Sequence, residues 1–299
     1  MPNEELDIEE IYKISRNLKN IGWLDLTGGE VTTRKDIIDV LKVIISNIKT
    51  LLILHITTNG QLPESIFRVV KEIEKFNIIL IINVSIDGPK EINDELRGGK
   101  DTYIKSTEAF KALKRLKNIY CYLSCTISEY NINHIEQLLR ELKHDVTGFS
   151  FSDIHFNLFH HSAHFYKNQD ISGLSGVDIA KAKKYFNLAK KGNFIKTFLE
   201  DKFIKGFDKY SQGNRFPLPC RALKSSCFID PCGEIYPCGF YDRSIGNLRE
   251  YDYDLNMLWN TQKAAVVRKS IEEKACLGCW TPCEAYVGIL GSIIKSLTM

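Results

Sequence analysis

The stretch Trp23-Leu24-Asp25-Leu26-Thr27-Gly28-Gly29-Glu30 is a short apolar run that ends in two glycines and a carboxylate. Two later runs end in the same manner: residues 51–56 precede Thr57-Thr58-Asn59-Gly60, and residues 77–84 precede Ser85-Ile86-Asp87-Gly88-Pro89. Longer amphipathic stretches, at 35–45 and 64–73, separate the three runs. This alternation predicts an α/β fold in which helices connect the strands of a parallel sheet.

The same patterns extend along the chain. They predict further strands at 119–123 and 148–151. They also predict helices at 8–18, 177–191, 194–210 and 284–295. We therefore divide the chain into a β/α domain (1–156), a helical connection (157–217) and a small Cys-rich C-terminal domain (218–299).

Composition excludes several function classes. The chain has 299 residues, 44% of them hydrophobic, and its 40 basic and 37 acidic residues give a net charge of only +3. So balanced a charge predicts no nucleic-acid or anionic-membrane surface. No apolar run approaches the roughly 18 residues of a membrane helix. The N-terminus has no basic leader followed by a hydrophobic segment, so we expect a cytoplasmic protein.

The polar turns after the first three strands predict a ligand-binding edge. Alone, each of these motifs is typical of an ordinary turn. Together they follow consecutive parallel strands, whose carboxyl ends meet on one face of the fold. Asp25, His55, Asn83 and Thr126 interrupt apolar strands near those ends. Polar residues at such positions fit a lumen better than a dry core.

Seven of the nine cysteines lie between Cys220 and Cys283. In a reducing compartment such a cluster predicts metal rather than disulfides, and spacing alone leaves zinc and iron-sulfur both open. We expect a β-hairpin with residues 230–233 as its turn. We interpret Cys121 and Cys125 as core or lumen thiols. The histidines at 160, 161 and 164 fit a solvated loop better than a metal site.

The turns after the first three strands resemble those of the radical S-adenosylmethionine (SAM) superfamily, whose partial β/α barrel carries a Gly-Gly-Glu motif. The resemblance implies that Gly28, Gly29 and Glu30 hold the methionyl amino group of SAM, and that Ser85 contacts its ribose or carboxylate. Arg97 would face the SAM carboxylate or only add charge near it. The SAM site implied in this way comprises Gly28, Gly29, Glu30, Asn59, Ser85, Asp87 and Arg97.

One feature departs from that family. Its members carry a Cys-x3-Cys-x2-Cys loop upstream of Gly-Gly-Glu that holds the SAM-binding 4Fe-4S cluster, whereas no cysteine precedes Cys121 here. We therefore expect a fold that lacks the first barrel strand, and no SAM cleavage by the chain as written. A SAM-binding cluster is expected only if an upstream segment exists. Truncation explains the departure better than degeneration, because the other motifs are intact.

The C-terminal cysteines resemble a SPASM or shorter twitch extension, which binds auxiliary 4Fe-4S clusters. The resemblance implies metal ligands among Cys220, Cys227, Cys238, Cys276, Cys279 and Cys283. One cluster needs four thiolates, so Cys220, Cys227 and Cys238 with one of the last three suffice. Cys232 lies in the predicted turn and is left out. The last three cysteines, which we call the knuckle, have the spacing Cys-x2-Cys-x3-Cys. A two-cluster domain has the longer spacing Cys-x2-Cys-x5-Cys, and this difference argues against a second auxiliary cluster.

The resemblance implies an iron-sulfur enzyme that uses SAM to abstract hydrogen, with a peptide or protein substrate and a ferredoxin or flavodoxin as electron donor. Two alternatives stay open. One is a non-catalytic metal-binding or peptide-binding protein with a degenerate barrel. The other is an unrelated β/α-barrel enzyme with a zinc ribbon.

Overall fold

The computed structural model describes residues 4–190 and 194–297. The chain folds as two compact units. The first unit spans Ile8–Phe156, and the second contains residues 4–7 together with the chain from Asn157 onward. None of the helices in the described part of the chain is long and apolar enough to cross a membrane.

The first unit is built on a sheet with strand order β1-β2-β3-β4-β5. The strands are β1 (Trp23–Leu26), β2 (Ile53–Thr58), β3 (Ile79–Ser85), β4 (Ile119–Ile127) and β5 (Ile154–Leu158). The pairs β1–β2, β2–β3 and β3–β4 are parallel, as the alternating pattern predicts. Helices connect the strands: α1 (Ile8–Asn17), α2 (Ile37–Asn47), α3 (Pro63–Ile73), α4 (Lys90–Arg97), α5 (Thr102–Leu113) and α6 (Ile135–Asp145).

Each central strand has one buried and one open face. On β2, Leu54 and Ile56 are fully buried, whereas His55 and Thr57 between them are only half-buried. The same alternation continues along β3 and β4. The buried face supplies the apolar core. The other face of the sheet, which we call the open face, carries the polar positions picked out in the sequence: Asp25, His55, Asn83 and Thr126.

The second unit combines helices with a small antiparallel sheet. Its helices are α7 (Gly176–Ala189), α8 (Phe194–Ser211), α9 (Leu255–Trp259), α10 (Gln262–Glu272) and α11 (Pro282–Leu297). Its sheet has the order β6-β7-β8, from β6 (Phe228–Ile229), β7 (Glu234–Tyr236) and β8 (Gly246–Asn247). The predicted hairpin is confirmed: the Asp230 carboxylate accepts hydrogen bonds from the backbone N–H groups of Cys232 and Glu234, at 2.8 and 2.9 Å.

One predicted element was wrong in position, and helix α10 was not predicted. The expected strand at 148–151 is displaced, because Ser150 and Asp153 form a capping box that begins a short 3-10 helix, and β5 starts only at Ile154. Helix α10 had no predicted counterpart. It begins where the Thr261 hydroxyl accepts a hydrogen bond from the backbone N–H of Ala264, a cap that its weak apolar periodicity does not reveal.

Gly60, in the turn after β2, is predicted to tolerate no side chain. It has a φ of +70°, and an added Cβ would lie 2.8 Å from Val84 Cγ1 and 2.9 Å from Ser106 Cα. Gly98 has a similar φ of +64° but open space around it. We expect Gly60→Ala to lower the free energy of unfolding, measured by urea denaturation, by about 1–3 kcal/mol more than Gly98→Ala. Equal losses would show that backbone strain alone matters.

Candidate functional site

The Glu30 carboxylate joins the loops that follow β1 and β2. It accepts hydrogen bonds from the Thr58 hydroxyl, 2.9 Å from each oxygen, and from the backbone N–H of Asn59 at 2.6 Å. It also accepts from the backbone N–H and hydroxyl of Thr32, at 3.1 and 2.7 Å. A carboxylate offers about four lone-pair sites, so these donors occupy most of them. Glu30 therefore positions both loops at the carboxyl end of the sheet.

Gly28 and Gly29 present bare backbone beside Glu30. Gly28 has a φ of +143°, which side chains rarely adopt. A Cβ built on either glycine would meet no atom within 4 Å. This open space above two glycines gives a ligand close access to their backbone groups. The sequence prediction of a binding edge rests on that kind of access.

Asp87 and Arg97 form an ion pair at 2.5 Å. The other Asp87 oxygen accepts a hydrogen bond from the backbone N–H of Thr126 at 2.8 Å, which ties the loop after β3 to the end of β4. Arg97 Nε is buried and has no hydrogen-bond partner among the residues that the structure describes. Asp87 is therefore engaged within the protein, whereas Arg97 keeps one donor that only a further group can satisfy.

The two remaining residues of the predicted SAM site, Asn59 and Ser85, differ in their contacts. The Asn59 Oδ1 atom accepts a hydrogen bond from the backbone N–H of Gln61 at 2.9 Å, as in an ordinary Asx turn. Ser85 ends β3 on the open face and is half-buried. Asn59 therefore shapes the turn, and Ser85 is available at the edge of the sheet.

Asp25 and His55 form a pair on the open face, with 2.7 Å between Asp25 Oδ1 and His55 Nδ1. The indole N–H of Trp23 donates to the same oxygen at 2.8 Å. Burial raises the pKa of Asp25, but the hydrogen bonds and charge of His55 and the Trp23 indole outweigh it, so the pKa lies below its usual value of 3.8. The sequence marked both residues as unusual without indicating that they pair.

Four of the cysteines predicted as metal ligands line one cavity of the second unit. Its volume is about 440 Å³. The four are Cys220, Cys238, Cys276 and Cys279, and Glu284 lines the same space. Burial raises the pKa of Cys279, and the nearby Cys238, Glu284, Cys220 and Cys276 raise it further. The structure thus brings together cysteines from two segments far apart in sequence.

The other cysteines lie elsewhere. Cys227 does not line the cavity, although Glu284 raises its pKa in addition to burial, to about 12. Cys283 is exposed, and Cys232 lies in the hairpin turn. Cys121 and Cys125 are buried on the core face of β4, where burial raises the pKa of both thiols. They are core rather than lumen thiols.

Three of the cavity cysteines, Cys220, Cys238 and Cys279, have raised pKa values. Burial raises the pKa of Cys220 to about 11 and that of Cys238 well above its usual value. A thiol of this kind becomes a ligand when a metal replaces its proton. Among residues 4–190 and 194–297, no three His, Cys, Asp or Glu side chains stand close enough to hold a single metal ion.

Trp280 anchors the knuckle that carries Cys276 and Cys279. Its ring stacks on Phe203 of α8, with 5.2 Å between ring centroids, and its indole N–H donates to the Phe203 carbonyl at 3.0 Å. Gly206 lies directly under the ring, since a Cβ there would be 2.0 Å from Trp280 Cζ2. Sequence reasoning noted the tryptophan but had no signal for this packing.

His160 and His164 are buried rather than part of a solvated loop, contrary to the sequence expectation, whereas His161 is partly exposed. His160 Nδ1 lies 3.0 Å from the Leu158 carbonyl, and His160 Nε2 accepts a hydrogen bond from the backbone N–H of Trp280 at 3.1 Å. Burial lowers the pKa of His160 to about 4. His164 also lies in the interior, stacked on Tyr236 with 4.1 Å between ring centroids. His160 thus binds the backbone of Trp280, the residue that follows Cys279.

Comparison with known proteins places two family models on the chain. Residues 2–142 match the radical SAM superfamily, and residues 220–280 match SPASM, an iron-sulfur cluster-binding domain. No curated protein matches the sequence significantly.

Solved structures of a protein named anSMEcpe share the fold. Native anSMEcpe with bound AdoMet and Kp18Cys peptide is 20% identical, with a TM-score of 0.57 over 92% of this chain and 81% of that chain. The form with AdoMet and Cp18Cys peptide is also 20% identical, with a TM-score of 0.58 over the same shares. The form with AdoMet alone is 21% identical, with a TM-score of 0.55 over 91% of this chain and 78% of that chain.

The hydrogen bonds of Glu30 predict that Thr58 contributes more to the stability of the protein than its neighbour Thr57. Thr58 is buried and donates to both Glu30 oxygens, whereas Thr57 is half-buried on the open face. We expect Thr58→Val to lower the free energy of unfolding by about 1.5–3 kcal/mol, because a carboxylate loses its donor. Thr57→Val should change it by less than about 0.5 kcal/mol. Similar urea-denaturation midpoints for the two variants would contradict a stabilising role for the Thr58–Glu30 hydrogen bonds.

The buried, neutral His160 predicts a loss of stability in mild acid. Its pKa in the folded protein, about 4, lies below the usual 6.5, so the unfolded chain takes up a proton first as pH falls. Between about pH 7 and pH 5 this costs about 2 kcal/mol of unfolding free energy. His160→Gln should flatten that part of the profile.

The control for this prediction is His144→Gln, because the His144 side chain is 89% exposed. Chemical denaturation at several pH values compares the two variants with the parent chain. If both variants keep the parent slope, His160 does not supply the proton-linked stability.

Proposed function

We propose that this protein is a SAM-dependent iron-sulfur enzyme for a peptide or protein substrate, in which SAM cleavage needs a cluster-binding loop that the printed residues do not contain. The matches of the chain to the radical SAM superfamily and to the SPASM iron-sulfur cluster-binding domain support this proposal. The observation that carries the proposal is the convergence of four cysteines on one cavity within the region that matches SPASM. The proposal includes a ferredoxin or flavodoxin as the electron donor of the enzyme.

We assign Cys220, Cys238, Cys276 and Cys279 as the ligands of one auxiliary 4Fe-4S cluster. Four thiolates are the number that such a cluster takes, and these four line one cavity of about 440 Å³. The contacts of Trp280 support this assignment, since its backbone binds His160 and its indole binds Phe203 directly beside Cys279. Cys227 and Cys283, also expected from the sequence, are left out because they do not line the cavity.

We place SAM at the carboxyl end of β1, β2 and β3. The open space at Gly28 and Gly29 admits the methionyl end of the molecule, and Glu30 fixes the two loops around it. The unpartnered Nε of Arg97 offers a donor for a carboxylate, and Ser85 adds a hydroxyl at the same edge. Asn59 and Asp87 shape the loops rather than meet the ligand directly.

The bound cofactors supply the chemistry, since a SAM-binding 4Fe-4S cluster provides the electron that cleaves SAM. No cysteine precedes Cys121, so the printed residues supply no Cys-x3-Cys-x2-Cys loop. We propose that the chain as written binds SAM without cleaving it. Cleavage would require such a loop to be encoded upstream.

Support for a peptide substrate comes from the structural neighbours, two of which hold a bound peptide. The open face of the sheet, with its polar side chains, is the surface of this chain that we assign to the substrate.

A non-catalytic metal-binding or peptide-binding role is the second candidate. One observation favours it, the lack of any cysteine before Cys121. The coding sequence directly upstream of Met1 separates the two functions. An in-frame Cys-x3-Cys-x2-Cys there supports the enzyme, and its absence supports the non-catalytic role.

The cluster assignment predicts the metal content of cysteine variants. After anaerobic purification we expect about four irons and four sulfides per chain. Cys238→Ala removes a cavity thiol, so it should lose most of the iron and destabilise the second unit, because ligation is coupled to folding. Iron, acid-labile sulfide and zinc analysis measures this.

Cys121→Ala is the matched control, since Cys121 is also buried but lies in the core of the first unit. It should keep the full iron content. Unchanged iron in Cys238→Ala, or zinc without sulfide in the parent protein, would defeat the ligand assignment.

A further inference from the structure

Three polar side chains stand together on the open face of the sheet. In the parallel register, Asp25 of β1 pairs with His55 of β2, and His55 pairs with Ile81 of β3. Asn83 lies two residues beyond Ile81 on β3, so it is the diagonal neighbour of His55 on the same face. The proposed function assigns the open face as a whole to the substrate, but it gives Asp25, His55 and Asn83 no individual roles.

The Asp25 carboxylate fixes the proton of the His55 ring. Asp25 Oδ1 lies 2.7 Å from His55 Nδ1 and also accepts the Trp23 indole N–H. An ionised carboxylate can only accept hydrogen bonds, so Nδ1 carries the proton of the pair. In the neutral imidazole the lone pair then resides on Nε2.

Two acceptors on this face are left without donors. His55 Nε2 and Asn83 Oδ1 are both buried and have no hydrogen-bond partner among the described residues. Buried acceptors without a donor are costly, and sites that keep them commonly serve a ligand. The surface pair His144–Asp145 has the same 2.7 Å separation, but His144 is 89% exposed and open to water.

We propose that Asp25, His55 and Asn83 form a substrate-binding subsite for a hydrogen-bond donor, an N–H or O–H group. His55 Nε2 and Asn83 Oδ1 accept from the ligand, and Asp25 holds the imidazole in the accepting tautomer. The subsite consists of the side chains of one unit and needs no cluster. Only its identification with a peptide-class substrate rests on the proposed function.

The tautomer and the ligand contact are both visible to NMR. The full chain with ¹⁵N-labelled histidine is examined at about pH 8, where an imidazole of ordinary pKa is neutral. We expect His55 to show a protonated Nδ1 and a bare Nε2. N-methylacetamide probes an N–H source and ethanol an O–H source. The donor that fits should shift the Nε2 resonance upfield in a saturable manner.

N,N-dimethylacetamide, which has no N–H, should leave Nε2 unshifted, as should either donor for the exposed His144. A proton on Nε2, equal shifts from both amides, or no shift from either donor would overturn the subsite. Iron content does not enter this measurement. A chain that binds no iron can still show the subsite, and a chain with four irons can lack it.

Variants divide the roles of the three residues. Asp25→Asn removes the carboxylate, so His55 should populate both tautomers, whereas the matched surface variant Asp145→Asn should leave His55 unchanged. Asn83→Leu removes one acceptor and should raise the concentration of donor at half-saturation about fivefold. A single His55 tautomer in Asp25→Asn, or an unchanged half-saturation in Asn83→Leu, would contradict the roles assigned.

Discussion

The hydrogen bonds that the Glu30 carboxylate accepts from four donor groups are the interaction on which the carboxyl end of the sheet in the first unit depends. The donors belong to the loops after β1 and β2 and to the last residue of β2, so a single side chain joins the ends of two neighbouring strands. Asp87 does the same for β3 and β4 through the backbone N–H of Thr126. Both carboxylates are thus largely satisfied by the protein, whereas Gly28 and Gly29 border open space and the Nε atom of Arg97 has no partner in the described part of the chain.

The second unit holds thiols from distant segments of the chain around one cavity. Cys220 and Cys238 belong to the segment around the hairpin, whereas Cys276 and Cys279 precede α11. Aromatic packing positions the second pair of cysteines, because the neighbouring Trp280 packs over Gly206 and stacks on Phe203. The cavity is therefore formed by apolar contacts, and a bound metal would add stability to a site that already exists.

The sequence predicted the sheet because the sheet depends on local pattern. Short apolar runs marked the strands, and glycines and polar residues marked the turns at their ends. It could not show that Asp25 meets His55, because that contact depends on strand register. The His160 contact with Trp280 spans 120 residues and leaves no local trace. The strand expected at 148–151 was displaced by a capping box that competes with apolar pattern.

Crystals of the anaerobically purified chain, with diffraction recorded at the iron absorption edge, test the central claim most directly. The account predicts one compact anomalous signal among Cys220, Cys238, Cys276 and Cys279, with none beside Cys121 or Cys125. A signal at the zinc edge in that cavity, or iron bound at cysteines outside it, would contradict the account.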